Sequence, residues 1–299
     1  LASPSLSLAL LPHCPAPSFP EVAAGSHPLA SRFDAMTTRL QVIGGGQMGG
    51  ALVGGLVVSG WAAPGEIHIV EPDDDRWNDL ESSIPGLTFG TDPLHGIDAL
   101  IAVKPHVVSA VCAGLKSAGV GRVLSIAAGI RLDSLEEGLG AGVAVVRAMP
   151  NTPSLVGEGV AAIAAGTNAD EEDLRWASEI LSAVGTVVAV DEAMLDAVTG
   201  LSGSGPAYLF LLAEALIDAG VAEGLSHGTA TALTEQMLIG AATLLRESDD
   251  PPSVLRQNVT SKGGTTAAGL AVFESADFSG LVSAVVSAAS ERSRELGGD

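Results

Sequence analysis

The sequence predicts an α/β protein in which a doubly wound parallel sheet is followed by an all-helical domain. Three observations carry that expectation. The short apolar run Leu40-Gln41-Val42-Ile43 leads into Gly44-Gly45-Gly46-Gln47-Met48-Gly49, and a helix-like run follows as far as Ser59-Gly60. Gly44, Gly46 and Gly49 therefore stand in a G-x-G-x-x-G register between a strand and a helix, the context in which this pattern marks a dinucleotide site. From Arg39 to Val190, apolar strand-like runs alternate with helix-period runs, as in a sheet with crossover helices. After Asp191 no strand pattern remains, and apolar residues recur at i, i+3, i+4, i+7 and i+8.

The first element sets the chemistry of the N-terminal half, a Rossmann-type unit. In such a turn the first glycine makes the bend, the second lets backbone approach a pyrophosphate, and the third lets helix and strand pack closely. The helix N-terminus then offers free N–H groups to phosphate. A glycine-rich turn of any α/β protein is the plainer alternative. Residues 66–70 read as the next strand and 73–80 as a helix. Strands are expected at 98–103, 122–127, 143–148, 160–165 and 186–190, with helices at 107–115 and 171–183. In the last third, Leu209, Leu212, Ala213 and Leu216 mark one helical face, Leu233, Met237 and Leu244 another, and Leu281, Val282 and Val285 a third. These faces are broader than one small bundle requires, so two chains are expected to pack together through them.

Composition bounds the rest. The chain has 299 residues, which corresponds to about two domains. The expected divisions are an extension over residues 1–35, a dinucleotide-binding domain over 36–190 and a helical domain over 191–299. The extension carries Pro4, Pro12, Pro15, Pro17, Pro20 and Pro28 and no amphipathic period, so it is expected to be disordered or to precede a start at Met36. Against 35 acidic residues stand 14 Lys and Arg, a formal net charge of −21. That field repels phosphate polymers and anionic membranes, so neither nucleic acid nor a membrane is an expected partner. No uninterrupted apolar run of about 18 residues occurs, so no membrane-spanning helix is expected. The two cysteines, Cys14 and Cys112, form no disulfide framework, which fits a cytoplasmic protein. The six histidines are scattered, and no Cys/His metal set, nucleophile elbow or carboxylate pair is recognisable, so no metal is expected. Hydride transfer needs none of these, because the cofactor carries the hard step.

Candidate site residues fall where strands end. Glu71 closes the second strand, 22 residues after Gly49. An acid there accepts hydrogen bonds from an adenosine ribose and repels a 2′-phosphate. This favours NAD(H), although nearby Arg76 softens the exclusion; a solvated carboxylate is the alternative. Lys104-Pro105 follows the 98–103 strand and either borders the ligand crevice or simply starts a helix. Ala127-Ala128-Gly129 either lets a cofactor lie close or makes an ordinary turn. Arg147-Ala148-Met149-Pro150-Asn151-Thr152-Pro153 forms a rigid loop on the same sheet edge. Residues 199–208 bring three glycines and Pro206 to a helix start, with Ser202 or Ser204 as possible caps. Residues 259–270 place Ser261, Gly263, Gly264, Thr265 and Thr266 before a helix. That turn is either an anion nest suited to a small carboxylate or an ordinary capped helix.

Taken together, these segments resemble one family, the pyrroline-5-carboxylate reductases. The matching stretches are 43–51, 102–105, 125–130, 146–153, 199–210 and 259–270, in family order. The most specific are Met149-Pro150-Asn151-Thr152-Pro153, Ser202-Gly203-Ser204-Gly205-Pro206-Ala207-Tyr208 and Ser261-x-Gly263-Gly264-Thr265-Thr266. The resemblance implies an N-terminal domain that binds NADH or NADPH and a helical dimerisation domain, with dimers able to build a decamer. It implies reduction of 1-pyrroline-5-carboxylate to L-proline, the last step of proline biosynthesis. Thr266 is then the catalytic hydrogen-bond donor near the imine nitrogen, and Ser261, Gly264, Thr265 and Thr266 hold the substrate. Ile43, Gly44, Gly45, Gly46, Gln47, Met48 and Gly49 belong to the cofactor site, with Glu71, Ala102, Val103, Lys104, Pro105, Ala127 and Ala128. Asn258 borders the cofactor side and Glu192 the substrate side.

Two departures qualify this mapping. Lys262 stands where the family usually has proline and adds a charge to the substrate loop. Glu71 stands where many relatives carry a neutral or phosphate-compatible residue, which leaves the choice between NADH and NADPH open. Two other readings remain. A β-hydroxyacid dehydrogenase would need a catalytic lysine on a C-terminal helix, but Lys262 is the only lysine after residue 116. A regulatory protein that binds nucleotide without turnover would have little use for Thr265-Thr266.

Overall fold

The computed structural model describes residues 38–298; the extension expected over residues 1–35 lies outside them. Eight strands form one sheet: β1 Leu40–Ile43, β2 Ile67–Val70, β3 Thr88–Gly90, β4 Ala99–Ile101, β5 Arg122–Ser125, β6 Ala144–Met149, β7 Gly159–Ala165 and β8 Gly185–Ala189. Five helices accompany it: α1 Gln47–Val58, α2 Asp74–Ser83, α3 Val108–Ser117, α4 Leu132–Leu139 and α5 Glu171–Ser182. The strand order is β3-β2-β1-β4-β5-β6-β7-β8. The first six strands run parallel, in the 3-2-1-4-5-6 order of a dinucleotide-binding sheet.

The expectation of a uniformly parallel sheet needs correction at β7, which pairs antiparallel to β6. Only a 3-10 turn, Thr152–Val156, lies in the link between them. Parallel neighbours need a crossover of a dozen or more residues, so a short link forces the strand to return antiparallel. The crossover through α5 then sets β8 parallel to β7. β3 and α4 were not expected from the sequence.

The core has two layers, one on each face of the sheet. Leu40 and Val42 point into the layer that holds Leu52, Val53 and Leu56 of α1 and Trp176, Ala177 and Ile180 of α5. Ile43 points into the other, with Val108, Cys112 and Leu115 of α3 and Leu132, Leu135 and Leu139 of α4. This is the two-sided burial that near-continuous apolar strands imply. Gln41 is fully buried in β1, and its amide is satisfied by backbone. Its Nε2 donates to Leu94 O at 3.1 Å and to Ile97 O at 2.7 Å, and its Oε1 accepts from Leu94 N at 2.9 Å. The loop leading into β4 is thereby fixed against β1.

From Glu192 on, the described residues are helical: α6 Leu195–Val198, a π turn Thr199–Gly203, α7 Gly205–Ala222, α8 His227–Glu247, α9 Pro252–Asn258, α10 Thr265–Ser275 and α11 Phe278–Leu296. α11 crosses the π turn so closely that a Cβ on Gly200 would collide with Ser290 Oγ. Elsewhere these helices bury little. Within the chain α7, α9 and α10 contain no buried residue, and Leu209, Phe210 and Leu281 are 57%, 65% and 60% exposed. No membrane-spanning helix was expected, yet by length and composition the run Glu192–Ala222, mean hydropathy 1.4, is long and apolar enough for one.

Candidate functional site

β1 and β4 are neighbours whose connections leave on opposite sides, and a crevice opens beyond their carboxyl ends. It is a cleft of about 590 Å³. Gly44, Gly46, Gln47 and Met48 line it from the β1 turn, Glu71 and Arg76 from beyond β2, and Ala102, Val103, Lys104 and Pro105 from beyond β4. Ile126, Ala127 and Ala128 follow from β5, and Met149, Pro150, Thr152 and Leu155 from β6.

The three glycines divide the labour as their positions require. Gly44 has φ +107°, and an added Cβ would sit 2.8 Å from Ala102 O. A Cβ on Gly49 would collide with Gly44 O, so α1 packs directly on the turn. A Cβ on Gly46 would meet nothing within 4 Å, which leaves open space beside the turn. Gly46 caps α1 without any side-chain hydrogen bond, and no acid lies in the first turn of the helix. The N–H groups there remain available to an anion, so the residues present fit a dinucleotide pyrophosphate.

Of the other residues assigned to the cofactor, Ile43 is buried in the core and Gly49 serves packing. Gly45 donates its N–H to Glu71 Oε2 at 2.8 Å. Asp73 N donates to Glu71 Oε1 at 3.2 Å, so the Glu71 carboxylate lies over the glycine turn. Trp77 Nε1 donates to Glu71 O at 2.6 Å and its ring stacks on Phe89 of β3, with centroids 5.6 Å apart. Arg76, at the same end of the cleft, pairs at 4.0 Å with Asp79.

The expected substrate residues do not line this cleft. Gly263 has φ +73°, Gly264 caps α10, and Gly264 N donates to Ser261 O at 3.1 Å. A Cβ on Gly264 would meet Ser261 Oγ, so a side chain there would displace that hydroxyl from its present position. Thr265 and Thr266 are the first two residues of α10, whose N-terminus has no side-chain cap and no acid in its first turn. Ser261, Lys262, Thr265, Thr266 and Asn258 are all exposed within the chain. Glu192 is tied elsewhere: its Oε1 accepts from Arg147 Nη1 at 2.8 Å and from Leu132 N at 2.7 Å.

The wall formed by Ile126 and by Met149, Pro150, Thr152 and Leu155 was missing from the assigned site residues. The signal was their place after β5 and β6, on the edge where Ala102 and Ala127 also lie. Among the described residues, no group of three or more His, Cys, Asp or Glu is placed to hold a metal ion.

Comparison with known proteins decides the family. A curated pyrroline-5-carboxylate reductase of Synechocystis sp. is 42% identical over 268 residues, covering 88% of this chain and 99% of that protein. The chain belongs to the pyrroline-5-carboxylate reductase family. The Arabidopsis thaliana reductase is 41% identical, covering 88% of this chain and 96% of its own length. Residues 192–296 match the family model described as pyrroline-5-carboxylate reductase dimerisation. Residues 39–129 match the model described as NADP oxidoreductase, coenzyme F420-dependent. Among solved structures, the Coxiella burnetii reductase superposes with TM-score 0.83 at 36% identity, covering 88% of this chain and 100% of that one. The Plasmodium falciparum reductase, solved with NADP bound, gives 0.75 at 31%, covering 87% and 98%. Membership in this family leaves no place for the β-hydroxyacid dehydrogenase alternative.

Proposed function

We infer that the protein is an NAD(P)H-dependent oxidoreductase acting on a C=N bond, which reduces 1-pyrroline-5-carboxylate to L-proline as the last step of proline biosynthesis. The observation that carries this reading is full-length likeness to curated reductases, 42% over 88% of the chain, with the glycine turn intact and uncapped. When bound, the coenzyme supplies the hydride. The chain's own part is to orient and to hold. The free N–H groups at the start of α1 hold the pyrophosphate, and Glu71 marks the adenosine end of the cleft. The Met149–Thr152 side is then the end where the imine is reduced.

We assign Thr266 the role of donor to the imine nitrogen, with Ser261, Gly264 and Thr265 on the carboxylate. A hydroxyl can orient the nitrogen without titrating, and an already polarised imine needs alignment more than a strong base. The uncapped start of α10 suits a carboxylate, since backbone N–H groups and the helix dipole both favour an anion there. Lys262 adds a cation to the same turn. Asn258 and Glu192 stay at the margin of the site, Glu192 acting through Arg147.

We also propose that residues 36–190 and 191–299 act as separate domains, and that the second pairs two chains into a homodimer able to build a larger ring such as a decamer. Because the 261–266 turn lines no part of the cleft on its own chain, the site is completed across that pairing. The apolar run 192–222 is then a subunit contact and not a membrane span, and nucleic acid has no place in this reading. A buried thiol such as Cys112, whose pKa burial raises, fits a reducing cytoplasm.

Oxidation of NADH and NADPH, followed in parallel with 1-pyrroline-5-carboxylate, tests the reading. Turnover is expected with both and faster with NADH if Glu71 excludes a 2′-phosphate. Absence of turnover with either coenzyme would overturn it.

A further inference from the structure

The segment after β6 is a partition with two faces. Met149, Pro150 and Thr152 line the coenzyme cleft, whereas Asn151 faces the π turn of the helical half. Asn151 is buried, 8% exposed, and both ends of its amide are used. Its Oδ1 accepts from Val160 N at 2.9 Å, and its Nδ2 donates to Ser202 O at 3.1 Å. The second bond answers a specific defect. In α register, Ser202 O would accept from residue 206, but that residue is proline and has no N–H. In π register it would accept from Ala207 N, which instead donates to Ser204 O at 3.0 Å. Neither register serves this carbonyl, and Asn151 does.

Neighbouring atoms repeat the arrangement. Ser204 N, the α-register donor for Gly200 O, goes to Thr199 O at 2.8 Å, and Tyr208 Oη donates to Gly200 O at 3.1 Å. A Cβ on Gly203 would lie 2.7 Å from Met149 Cε, so the methionine of the cleft wall rests directly on the π turn. Single π turns inside helices mark functional sites more often than chance. Here the turn presents the Ser202 carbonyl to the segment after β6 and leads straight into α7.

We propose that Asn151 is a positioning residue for hydride transfer. It locks the Met149–Thr152 wall of the cleft to the π turn at the root of the helical domain, and so sets the distance and angle between the coenzyme ring and the imine. The inference rests on the reductase reading. Near-attack alignment is sensitive to displacements of about 1 Å, which cost on the order of a hundredfold in rate. A lost tether should therefore slow chemistry while leaving both binding ends in place.

The test uses the full-length enzyme, 1-pyrroline-5-carboxylate and coenzyme deuterated at the transferred position. For Asn151→Ala, kcat is expected to fall by about tenfold or more. KM for the imine and Kd for the coenzyme should stay within about twofold, and the isotope effect on kcat should rise as hydride transfer becomes limiting. Adding Pro206→Ala gives Ser202 O a helical donor again. It should recover part of the lost melting temperature, Val160 N remaining without its acceptor, and leave kcat low. Should Asn151→Ala fail to fold, Asn151→Ser gives the same three readings. Recovery of kcat together with stability, or an unchanged isotope effect, would overturn the inference while leaving the reductase reading intact. A wild-type enzyme that turns over neither coenzyme would remove both.

Discussion

The two halves of the chain satisfy their apolar residues by opposite means. The sheet half makes its own interior: Leu40, Leu52, Leu56, Ile67 and Leu100 are all inaccessible to solvent within one chain. The helical half does not. Its longest helix, α8, buries only Ala230 and Thr234, and α11 buries only Ser290 and Ser293, both hydroxyls. Phe210, Leu233 and Leu281 are left more than half exposed. Exposed faces of this breadth mark interaction surfaces. The same division holds for chemistry. The cleft is complete within one chain, whereas the 261–266 turn stands apart from it. One half folds for itself, and the other is finished by association.

The most direct way to break that comparison is to charge the helical face. Phe210→Glu is expected to dissociate the assembly, because a desolvated carboxylate in an apolar contact costs several kcal/mol. Turnover should fall by about a hundredfold or more, while NADH still binds to the sheet half, as followed by coenzyme fluorescence. A variant that stays fully active as a monomer in light scattering would remove the idea of a shared site.

A matched pair of truncations sharpens the contrast in stability. Leu56→Ala leaves a cavity in a self-contained core and should cost about 2–5 kcal/mol, read as a drop in melting temperature that is independent of protein concentration. Leu281→Ala should lower the melting temperature in a way that recovers as concentration rises, since unfolding is then linked to dissociation. If both respond alike to dilution, the two halves do not differ as argued.

Glu71 tests the cleft end of the comparison. Its carboxylate accepts from Gly45 N and lines the cleft, and in the proposed reading it meets the adenosine ribose. Glu71→Ser should lower KM for NADPH by about tenfold, or ~1.4 kcal/mol, relative to NADH. Arg76, which pairs with Asp79 and lines the same end of the cleft, would then be the cation nearest the phosphate. No change in the ratio of the two coenzymes would mean that Glu71 shapes the glycine turn alone.

How much of this could be read from sequence follows from the range of each interaction. The glycine turn was legible because its determinants lie within ten residues of one another, and steric contacts such as Gly49 on Gly44 O are local. The faces of α7, α8 and α11 were legible because periodicity is local too, although the pattern does not say what covers them. β3 was not legible: Thr88, Phe89 and Gly90 carry no periodic signal and are held as an edge strand by pairing with His68, Ile69 and Val70. The direction of β7 was hidden because it depends on the length of a link and not on the strand's own residues. The Arg147–Glu192 ion pair and the Asn151–Ser202 bond span 45 and 51 residues. Each partner reads alone as an ordinary loop or strand residue. The local pattern put Thr265 and Thr266 just before a helix, of which they are the first two residues, but the separation of that helix from the cleft is a property of the fold.

The smallest expected effect concerns the outer edge of the sheet half, at β2 and β3. His68 is 4% exposed; its Nδ1 lies 2.9 Å from Thr88 Oγ1, and its Nε2 is buried without a hydrogen-bond partner among the described residues. Burial lowers its pKa below the ordinary imidazole value, because the charged form would lose solvation that nothing replaces. The sign of the linkage then follows. Well above the ordinary imidazole pKa of about 6.5 the ring is neutral in both states and contributes no pH dependence. As the pH falls below that value the unfolded chain takes up a proton that the folded chain resists, so stability declines until the folded pKa is passed. One proton limits the slope to about 1.4 kcal/mol per pH unit. Urea midpoints between pH 7.5 and 5 should fall in the wild type and flatten in His68→Gln, relative to the background of the other titrating groups. Since β3 also carries the Phe89 that stacks on Trp77 beside Glu71, the same acid shift should weaken coenzyme binding in the wild type more than in the variant. Equal slopes for the two proteins would show that the β3 edge tolerates a charged imidazole, and that the self-contained half of the molecule has no acid-sensitive seam there.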